Sequence, residues 1–417
     1  MSKITFSIAG MGNRGTTYMT QIMNFPAEAE VVAAADPRPD RLDLARKALW
    51  LPDKALFPNI EEMLKEPKLS DVMIISTQDA FHKNHAIAAL EKGYDLILEK
   101  PIATTMADCE EIAAAADRLG RLVLVCHVLR YTPFYRTIKN LIRDGRIGKV
   151  ESINATEGVG YYHIAHSYVR GNWHKESTSC PMILAKSCHD MDLMVWLTDR
   201  HCRKVSSFGS LDYFKAENAP KESAERCVDC KVDCPFNAVK FYLSRIPRWP
   251  ASVLQANPTE ENIMESLRTT DYGKCVFKMD NDVVDHQIVN LLLEDNITVG
   301  FQMIGFTATG DRSIRIMGTE GEIYGNVSTN QIHVHRFREE PEVIDVTSMS
   351  KSFKGHNGGD AGLIADAIRY FRNDDFDRTS ITKLSESLES HRIAFAAEAS
   401  RLREGEVVSM DGYTGVL

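Results

Sequence analysis

The chain of 417 residues is 44% hydrophobic and 26% charged, a composition typical of globular proteins, and it is long enough for two domains. Its 49 basic and 58 acidic residues give a net charge of −9 without an evident block of one sign, so neither nucleic acid nor an anionic membrane surface is an expected partner. No apolar run is long enough to span a bilayer, and the short apolar run near the start lacks the features of a signal peptide, so we expect a cytoplasmic protein.

Short apolar strands alternate with helical segments from residue 3 to about 145. The predicted strands cover 4–9, 30–35, 71–76, 94–98 and 122–125, and the predicted helices cover 13–24, 40–48, 80–92 and 105–119. Apolar runs without alternation suit strands that are buried on both faces of a parallel sheet. The order predicts right-handed βαβ units in an α/β Rossmann domain, a doubly wound parallel sheet over residues 1–147.

After about residue 148 apolar and polar residues alternate, which is typical of an antiparallel sheet. The predicted strands cover 150–157, 283–293, 297–303, 313–317 and 332–336. We expect an α+β domain over 148–417, with a large open, mostly antiparallel sheet, an irregular cysteine-containing insertion at about 212–275 and C-terminal helices at 360–403 that pack back. Because an open sheet usually needs its outer face covered, a homodimer or homotetramer is expected.

A glycine motif follows the first predicted strand and opens the first predicted helix. It reads Gly10, Met11, Gly12, Asn13, Arg14, Gly15. In this context G-x-G-x-x-G is a dinucleotide-binding fingerprint, because the glycines allow a tight turn and a close approach of the pyrophosphate to the helix N-terminus. Asp36 ends the second strand, where a carboxylate would bind the adenosine ribose and favour NAD. Arg38 could accept the 2′-phosphate of NADP, so both cofactors stay open.

Lys100 follows the strand at 94–98 and precedes Pro101, which must end that strand. It is therefore expected at the carboxyl edge of the sheet, where open α/β sheets bind ligands. Together with the glycine motif and Asp36, this Glu-Lys-Pro sequence resembles the Gfo/Idh/MocA family of oxidoreductases, which includes glucose–fructose oxidoreductase and inositol dehydrogenase. A further group of residues carries the same resemblance: Ser76, Thr77, Gln78, His82, His85.

The resemblance implies that Lys100 lies beside the nicotinamide and the reacting hydroxyl. An ammonium there would stabilise the oxyanion that develops as hydride leaves the carbon. It could also move the proton if burial lowers its pKa. The resemblance further implies cofactor contacts, at or near the nicotinamide ribose, from Ser76, Thr77, His82, His85 and Glu99.

A second signature implied by the family is a helix with an Asp, a His four residues later and another Asp three beyond. The sequence supplies His189 and Asp192, but Ala185 stands where the first Asp is expected. His189 is the predicted general base, because a neutral imidazole accepts a proton near pH 7. Lys186 is a second catalytic candidate, since two neighbouring lysines would lower each other's pKa. Asp192 is expected to bind substrate.

Aromatic and histidine residues are concentrated at 161–174. Because sugars are bound by aromatic faces and by bidentate polar groups, this segment is a predicted substrate loop, with ordinary core packing as the alternative for each member. The candidates are Tyr162, His166, Arg170, Trp173. His356 begins a glycine turn similar to one in part of the family, which implies that it reaches the substrate, and Asp360 is the predicted N-cap of the following helix.

Three cysteines, Cys227, Cys230 and Cys234, cluster in the expected insertion. In a cytosolic enzyme this spacing suggests zinc more than a disulfide, but a closed site needs a fourth ligand and none is adjacent. Cys188, Cys202 or a histidine could supply it. Zinc, free thiols and a redox pair all stay open.

The resemblance implies hydride transfer between NAD(P) and a ring hydroxyl of a sugar, sugar derivative or cyclitol. One alternative is redox-neutral cleavage of a glycoside or sugar substituent. There, transient oxidation acidifies the neighbouring C–H, permits elimination, and hydride then returns from the recycled NAD. A second alternative is a non-catalytic regulator that senses a sugar or nucleotide, against which the presence of Lys100 and His189 argues.

Overall fold

The structure is a computed structural model that describes residues 3–349 and 356–415, and these form two sheets. The first sheet is parallel throughout, with strand order β3-β2-β1-β4-β5-β6. Its strands are β1 (Ile4–Ala9), β2 (Ala29–Ala35), β3 (Leu56–Phe57), β4 (Val72–Ile75), β5 (Asp95–Leu98) and β6 (Val123–Val125). The order reverses between β1 and β4, which is the position where doubly wound sheets bind nucleotides. The predicted Rossmann fold class is confirmed.

The helices of this part lie on both faces of the sheet. They are α1 (Asn13–Ile22), α2 (Pro39–Leu49), α3 (Ile60–Lys65), α4 (His82–Glu91), α5 (Met106–Leu119) and α6 (Pro133–Arg143). As a result, alternate residues of β4 face different cores: Val72 and Ile74 pack in one, Met73 and Ile75 in the other. Neither face needs polar side chains, which explains why the strand reads as a continuous apolar run.

Within the described residues, nine strands form the second sheet, in the order β14-β13-β12-β11-β7-β10-β9-β8-β15. They are β7 (Val150–Gly158), β8 (Cys202–Ser210), β9 (His286–Leu293), β10 (Thr298–Ile304), β11 (Asp311–Gly318), β12 (Gly321–Asn326), β13 (Gln331–Arg336), β14 (Glu342–Asp345) and β15 (Val408–Ser409). Only β7 and β10 pair in parallel, so the predicted mostly antiparallel sheet is confirmed. On β9, Val289 and Leu291 are buried while Ile288 and Asn290 are exposed, as expected for a sheet with one face in the core.

The remaining helices are α7 (Tyr161–Ile164), α8 (Met182–Thr198), α9 (Ala238–Leu243), α10 (Ala251–Leu254), α11 (Glu260–Thr269), α12 (Gly359–Phe371) and α13 (Leu384–Leu402). Almost every residue of α8 is buried, because α8 lies between the second sheet and α13. Helix α12 packs against α1, and Leu363 and Ile364 of α12 share a core with Tyr18 and Met19 of α1. The C-terminal helices therefore hold α8 opposite the carboxyl ends of the parallel strands.

The stretch at 212–275, which the sequence indicates is irregular, contains α9, α10 and α11. These helices have a small core of their own, which includes Tyr242, Ile263 and Leu267. In the described parts of the chain, no helix combines the length and the apolar character that a membrane span requires.

Candidate active site

A cavity of about 1310 Å³ lies between the carboxyl ends of β1, β2, β4 and β5 on one side and α8 and the 212–275 insertion on the other. Its size exceeds that of an ordinary small-molecule pocket, so it has room for an extended ligand. The glycine motif, Asp36, Lys100, Lys186 and His189 all line it.

The glycine turn leaves open space beside the N-terminus of α1. Gly10 has a φ of +90°, and a Cβ there would lie 2.4 Å from the carbonyl oxygen of Ser76. A Cβ at Gly15 would lie 2.0 Å from the carbonyl oxygen of Gly10, so neither position tolerates a side chain. Gly12 has no neighbour within 4 Å of its Cβ position and lines the cavity. The free space and the N–H groups of the first helical turn fit a pyrophosphate group, so the residues present fit a dinucleotide.

Asp36 lies at the end of β2 and is almost fully buried. Its carboxylate accepts hydrogen bonds from the backbone N–H groups of Met11, at 2.7 Å, and Arg38, at 2.8 Å. These bonds fix the carboxylate between the glycine turn and the start of α2. Each carboxylate oxygen can accept a further bond from a hydroxyl in the cavity.

The insertion closes over this end of the cavity. The Arg38 guanidinium pairs with Asp40, at 2.7 Å, and donates to the carbonyl oxygen of Leu254, at 3.1 Å. Arg41 donates to the carbonyl oxygens of Ser252, at 2.7 Å, and Val253, at 3.0 Å. The guanidinium groups of Arg38 and Arg41 are therefore both already bound by acceptors within the protein.

Arg14, predicted from the motif as a cofactor residue, forms ion pairs within the protein. Its Nε lies 2.6 Å from Glu99 Oε1, and Nη2 lies 2.7 Å from Asp360 Oδ1. Burial raises the pKa of both carboxyls, but the Arg14 charge outweighs it and holds each pKa below its usual range. Arg14 thus joins α1 to the end of β5 and to the start of α12, while Asn13 beside it lines the cavity.

The histidines after β4 support the loop that faces the glycine turn. His82 is fully buried, with Nδ1 2.7 Å from the carbonyl oxygen of Pro101 and Nε2 3.2 Å from that of Thr77. His85 Nδ1 lies 2.9 Å from Thr77 Oγ1, and Ser76 Oγ donates to the carbonyl oxygen of Gly10 at 2.8 Å. These contacts position Ser76 and Thr77 at the cavity wall.

Lys100 and His189 come from different parts of the chain and line the same cavity. Lys100 Nζ donates to the carbonyl oxygen of Ala185 at 2.6 Å, and no carboxylate oxygen of the described residues lies within 4.0 Å of it. Burial lowers the pKa of His189 well below its ordinary value, and the charge of Lys100 lowers it further. His189 is therefore a neutral imidazole at pH 7, in the same cavity as an ammonium group that forms no ion pair within 4.0 Å among the described residues.

Lys186 belongs to a buried ion-pair network that sequence reasoning missed in part. Its Nζ lies 3.1 Å from Glu157 Oε1, while Arg312 Nε lies 2.6 Å from Glu157 Oε2 and 2.8 Å from Asp190 Oδ1. Burial lowers the pKa of Lys186 despite the attraction of Glu157. Glu157 and Arg312 lie at the ends of β7 and β11, and no motif in the sequence links them.

The predicted substrate residues divide into two groups. Those that line the cavity are Tyr162, His166, Trp173 and His356. Two do not. Arg170 donates to the carbonyl oxygens of Lys274, at 2.7 Å, and Phe236, at 2.8 Å, and Asp192 forms a bidentate pair with Arg130 at 2.7 and 2.6 Å. Both bind the chain to itself rather than face the cavity.

The insertion supplies aromatic residues to the cavity that the sequence did not indicate. Trp249 and Tyr272 line it, and the ring of His166 stacks on Tyr272 with 5.1 Å between centroids. His166 Nδ1 also lies 2.6 Å from the hydroxyl of Tyr242. In the sequence, Trp249 and Tyr272 stand out only as aromatic residues within a segment that otherwise resembles a loop.

The zinc prediction at Cys227, Cys230 and Cys234 is not supported. All three are free thiols, and within residues 3–349 and 356–415 no group of three or more His, Cys, Asp or Glu side chains is arranged to hold a metal ion. The sulfur of Cys227 accepts instead from Arg170, at 3.5 Å, and that of Cys234 from the backbone N–H of Phe236, at 3.4 Å.

Known proteins resemble the chain over most of its length or over about half of it. It is 25% identical over 389 residues to the putative oxidoreductase YteT of Bacillus subtilis (strain 168), a match that covers 88% of each chain. It is 26% identical over 202 residues to an inositol 2-dehydrogenase of Salmonella typhimurium (strain LT2), which spans 48% of this chain and 56% of that enzyme.

Solved structures share the fold at low sequence identity. The WlbA dehydrogenase from Bordetella pertussis, in complex with NADH and UDP-GlcNAcA, has a TM-score of 0.69 at 18% identity, covering 98% of this chain and 99% of that chain. An oxidoreductase from Agrobacterium radiobacter, in complex with NAD+, L-tartaric acid and magnesium, has a TM-score of 0.69 at 14% identity and covers 99% of both chains.

Models of one family match both parts of the sequence. Residues 4–127 match the model described as the oxidoreductase family, NAD-binding Rossmann fold, and residues 135–324 match the GFO/IDH/MocA C-terminal domain. The chain therefore belongs to the Gfo/Idh/MocA family of oxidoreductases.

Proposed function

We propose that the protein is an NAD-dependent dehydrogenase that acts on a ring hydroxyl of a sugar, sugar derivative or cyclitol. The observation that carries this proposal is the placement of an unpaired ammonium, Lys100, and a neutral imidazole, His189, in the cavity that the glycine turn also lines. Relatives named inositol 2-dehydrogenase and a fold neighbour complexed with NADH and a nucleotide sugar support the substrate class.

The cofactor's place follows from the residues at the strand ends. When bound, the nicotinamide ring takes up or returns the hydride. The N-terminus of α1 at Gly12 would hold the pyrophosphate and Asp36 the adenosine ribose, while Ser76 and Thr77 face the other end. The Arg38 guanidinium already binds Asp40 and a carbonyl oxygen of the insertion, which favours NAD over NADP.

Lys100 would donate a hydrogen bond to the substrate oxygen. As the hydroxyl proton leaves, negative charge develops on that oxygen before the hydride departs and the carbonyl forms, and an ammonium without a carboxylate partner stabilises this charge most when water is excluded. The 2.6 Å bond to the carbonyl oxygen of Ala185 orients the ammonium without neutralising it.

His189 would accept the hydroxyl proton. Its depressed pKa keeps the imidazole unprotonated at neutral pH, as a general base requires. Once protonated it would lie beside Lys100, and the repulsion between the two cations would favour release of the proton. Lys186 lines the same wall and is held by Glu157.

The test is an assay of the purified protein with NAD and, separately, NADP against a panel of hexoses, uronic acids and inositols, followed by absorbance at 340 nm. We expect cofactor reduction with NAD and a cyclic polyol. Chromatographic analysis of aryl glycosides in the same mixtures detects redox-neutral cleavage, which absorbance does not report. If neither assay shows turnover while NAD binds, a regulatory role replaces the proposal.

A further inference from the structure

We infer that the substrate carries a carboxylate, as uronic and other sugar acids do, and that Lys186 and Arg312 bind it. This inference rests on the proposed function, since it concerns the substrate of the same cavity.

The cations of the Lys186 network face the cavity and its carboxylates lie behind them. The side chains of Lys186 and Arg312 are 14% and 13% exposed, and both line the cavity. Those of Glu157 and Asp190 are 3% and 4% exposed, and neither lines it. A ligand that enters this end therefore meets the guanidinium and the ammonium of this network before it meets the carboxylates of the network.

Cationic side chains have the strongest charge effects on two histidines at this end of the cavity. After burial, the strongest effects on the pKa of His189 come from Lys100, His127, His356 and Arg312, and every one of them lowers it. For His163, on the neighbouring wall, burial is followed by Lys186, which also lowers the pKa. Lys100, Lys186 and Arg312 therefore act on these imidazoles as cations, and an anionic group beside them would be attracted.

The other carboxylates near this end already have partners. Glu99 and Asp360 are bound by Arg14, and Asp79 accepts hydrogen bonds from Trp173 Nε1, at 2.7 Å, and Ser179 Oγ, at 3.0 Å. None of them lies within 4.0 Å of Lys100 Nζ, which contacts only a backbone carbonyl among the described residues. A neutral sugar would offer this ammonium hydroxyl acceptors alone, while the two cations of the wall keep their contacts with Glu157 and Asp190.

The geometry of the wall suits a carboxylate. Arg312 donates from Nε and Nη2 to Asp190, at 2.8 and 3.3 Å, and its Nη1 has no hydrogen-bond partner among the described residues. Nη1 and the Lys186 ammonium can therefore each donate a charge-assisted bond to a ligand carboxylate. Such bonds are about twice as strong as those to a neutral hydroxyl. Discrimination between a sugar acid and its neutral counterpart by about 100-fold is therefore expected.

The experiment measures binding, so that it does not depend on turnover. Galacturonate, its methyl ester and galactose are titrated by calorimetry into the protein saturated with NADH, and glucuronate is compared with its own ester and glucose. We expect at least one of the two acids to bind about 100-fold more tightly than its ester and its neutral hexose. The methyl ester is the matched control, because it keeps the shape of the acid and removes the charge.

Two variants assign the contact. Lys186→Met should lower the acid-to-ester binding ratio at least tenfold, and Arg312→Lys, which keeps the charge but loses the Nη1 donor, should lower it less. Because the ratio is taken within each variant, a general loss of stability does not produce this result. Equal binding of acid and ester, an unchanged ratio in Lys186→Met, or no binding of either acid would overturn the inference. If acid and ester bind equally and the enzyme still oxidises neutral sugars, the inference fails while the proposed function stands.

Discussion

Lys100 Nζ, at the end of β5, lies 2.6 Å from the backbone carbonyl oxygen of Ala185 on α8. This bond connects the parallel sheet to the central helix of the second part of the chain. A carbonyl oxygen orients the ammonium but, unlike a carboxylate, adds no full negative charge. The family signature has an acid where this chain has Ala185, so the chain keeps its lysine positioned without a carboxylate partner within 4.0 Å among the described residues.

The first prediction concerns that charge. Lys100→Met should lower kcat by about 100- to 1000-fold, the range for the loss of one donor to a developing oxyanion. Nucleotide affinity, measured by quenching of protein fluorescence, should change little, because the glycine turn is untouched. Lys100→Arg keeps the charge and is expected to retain part of the activity. A Met variant within tenfold of the unmodified enzyme would exclude Lys100 from the chemical step.

The second prediction concerns pH and stability. Burial lowers the pKa of four buried histidines: His127, His166, His189, His391. In the unfolded chain they titrate near 6.5, so below that pH the unfolded state binds more protons and stability falls. Each contributes up to about 1.4 kcal/mol per pH unit, and for His166 and His391 the loss continues to their folded pKa of about 3.

Calorimetric melting between pH 7.5 and 4 checks this expectation. The stabilisation is complete above about pH 6.5 and is lost as the pH falls, so Tm should decline steeply on the acid side. His201 has the opposite effect on the pH dependence of stability, because its hydrogen bond to Glu389 raises its pKa. It is a single exposed histidine, so the four buried histidines determine the trend. In His391→Gln the proton uptake on unfolding should fall by about one. A Tm that is level down to pH 5 would contradict the prediction.

The candidate site residues that the structure places at the cavity belong to local patterns. Gly10, Gly12 and Lys100 lie at the carboxyl ends of buried strands, and the order of strands in a doubly wound sheet brings those ends together. His189 was found through a spacing on one helix. In each case a short stretch of the sequence determines both the local fold and the position of the candidate residue.

The residues that were missed or misassigned depend on pairing between distant segments. Arg312 reaches Glu157 only because β11 pairs with β7 in one register. Arg170 and Asp192 satisfy the same composition rules as substrate ligands, but tertiary packing directs them to backbone carbonyls and to Arg130. Composition and spacing cannot decide whether such a residue binds a substrate or pairs within the protein, since both roles require a polar group on an apolar surface.

The third prediction tests the buried pair of Arg130 and Asp192. Their side chains are 4% and 1% exposed, and Arg130→Met would leave the carboxylate without its bidentate partner. Loss of one member of a buried pair costs about 3–5 kcal/mol. Urea unfolding should show this loss in the single variant and recover part of it in the double variant Arg130→Met with Asp192→Leu. If the double variant is less stable than the single one, the carboxylate has another partner and the assignment fails.

The last prediction concerns the insertion as a cover of the nucleotide cavity. Arg38 and Arg41 donate to the carbonyl oxygens of residues 252–254, and the cavity is lined on the same side by Val253, Leu254 and Gln255. A nucleotide bound beside Asp36 would then leave only when these bonds open, so Arg41→Leu should raise the dissociation rate of NADH. Each bond to a charged donor is worth about 1.5–3 kcal/mol, which corresponds to roughly tenfold or more in rate.

Stopped-flow NADH fluorescence measures the dissociation rate. The control is Arg46→Leu, because Arg46 lies on the same helix and pairs only with exposed acids among the described residues. Equal dissociation rates for Arg41→Leu and the control would mean that the insertion does not hold the cavity closed.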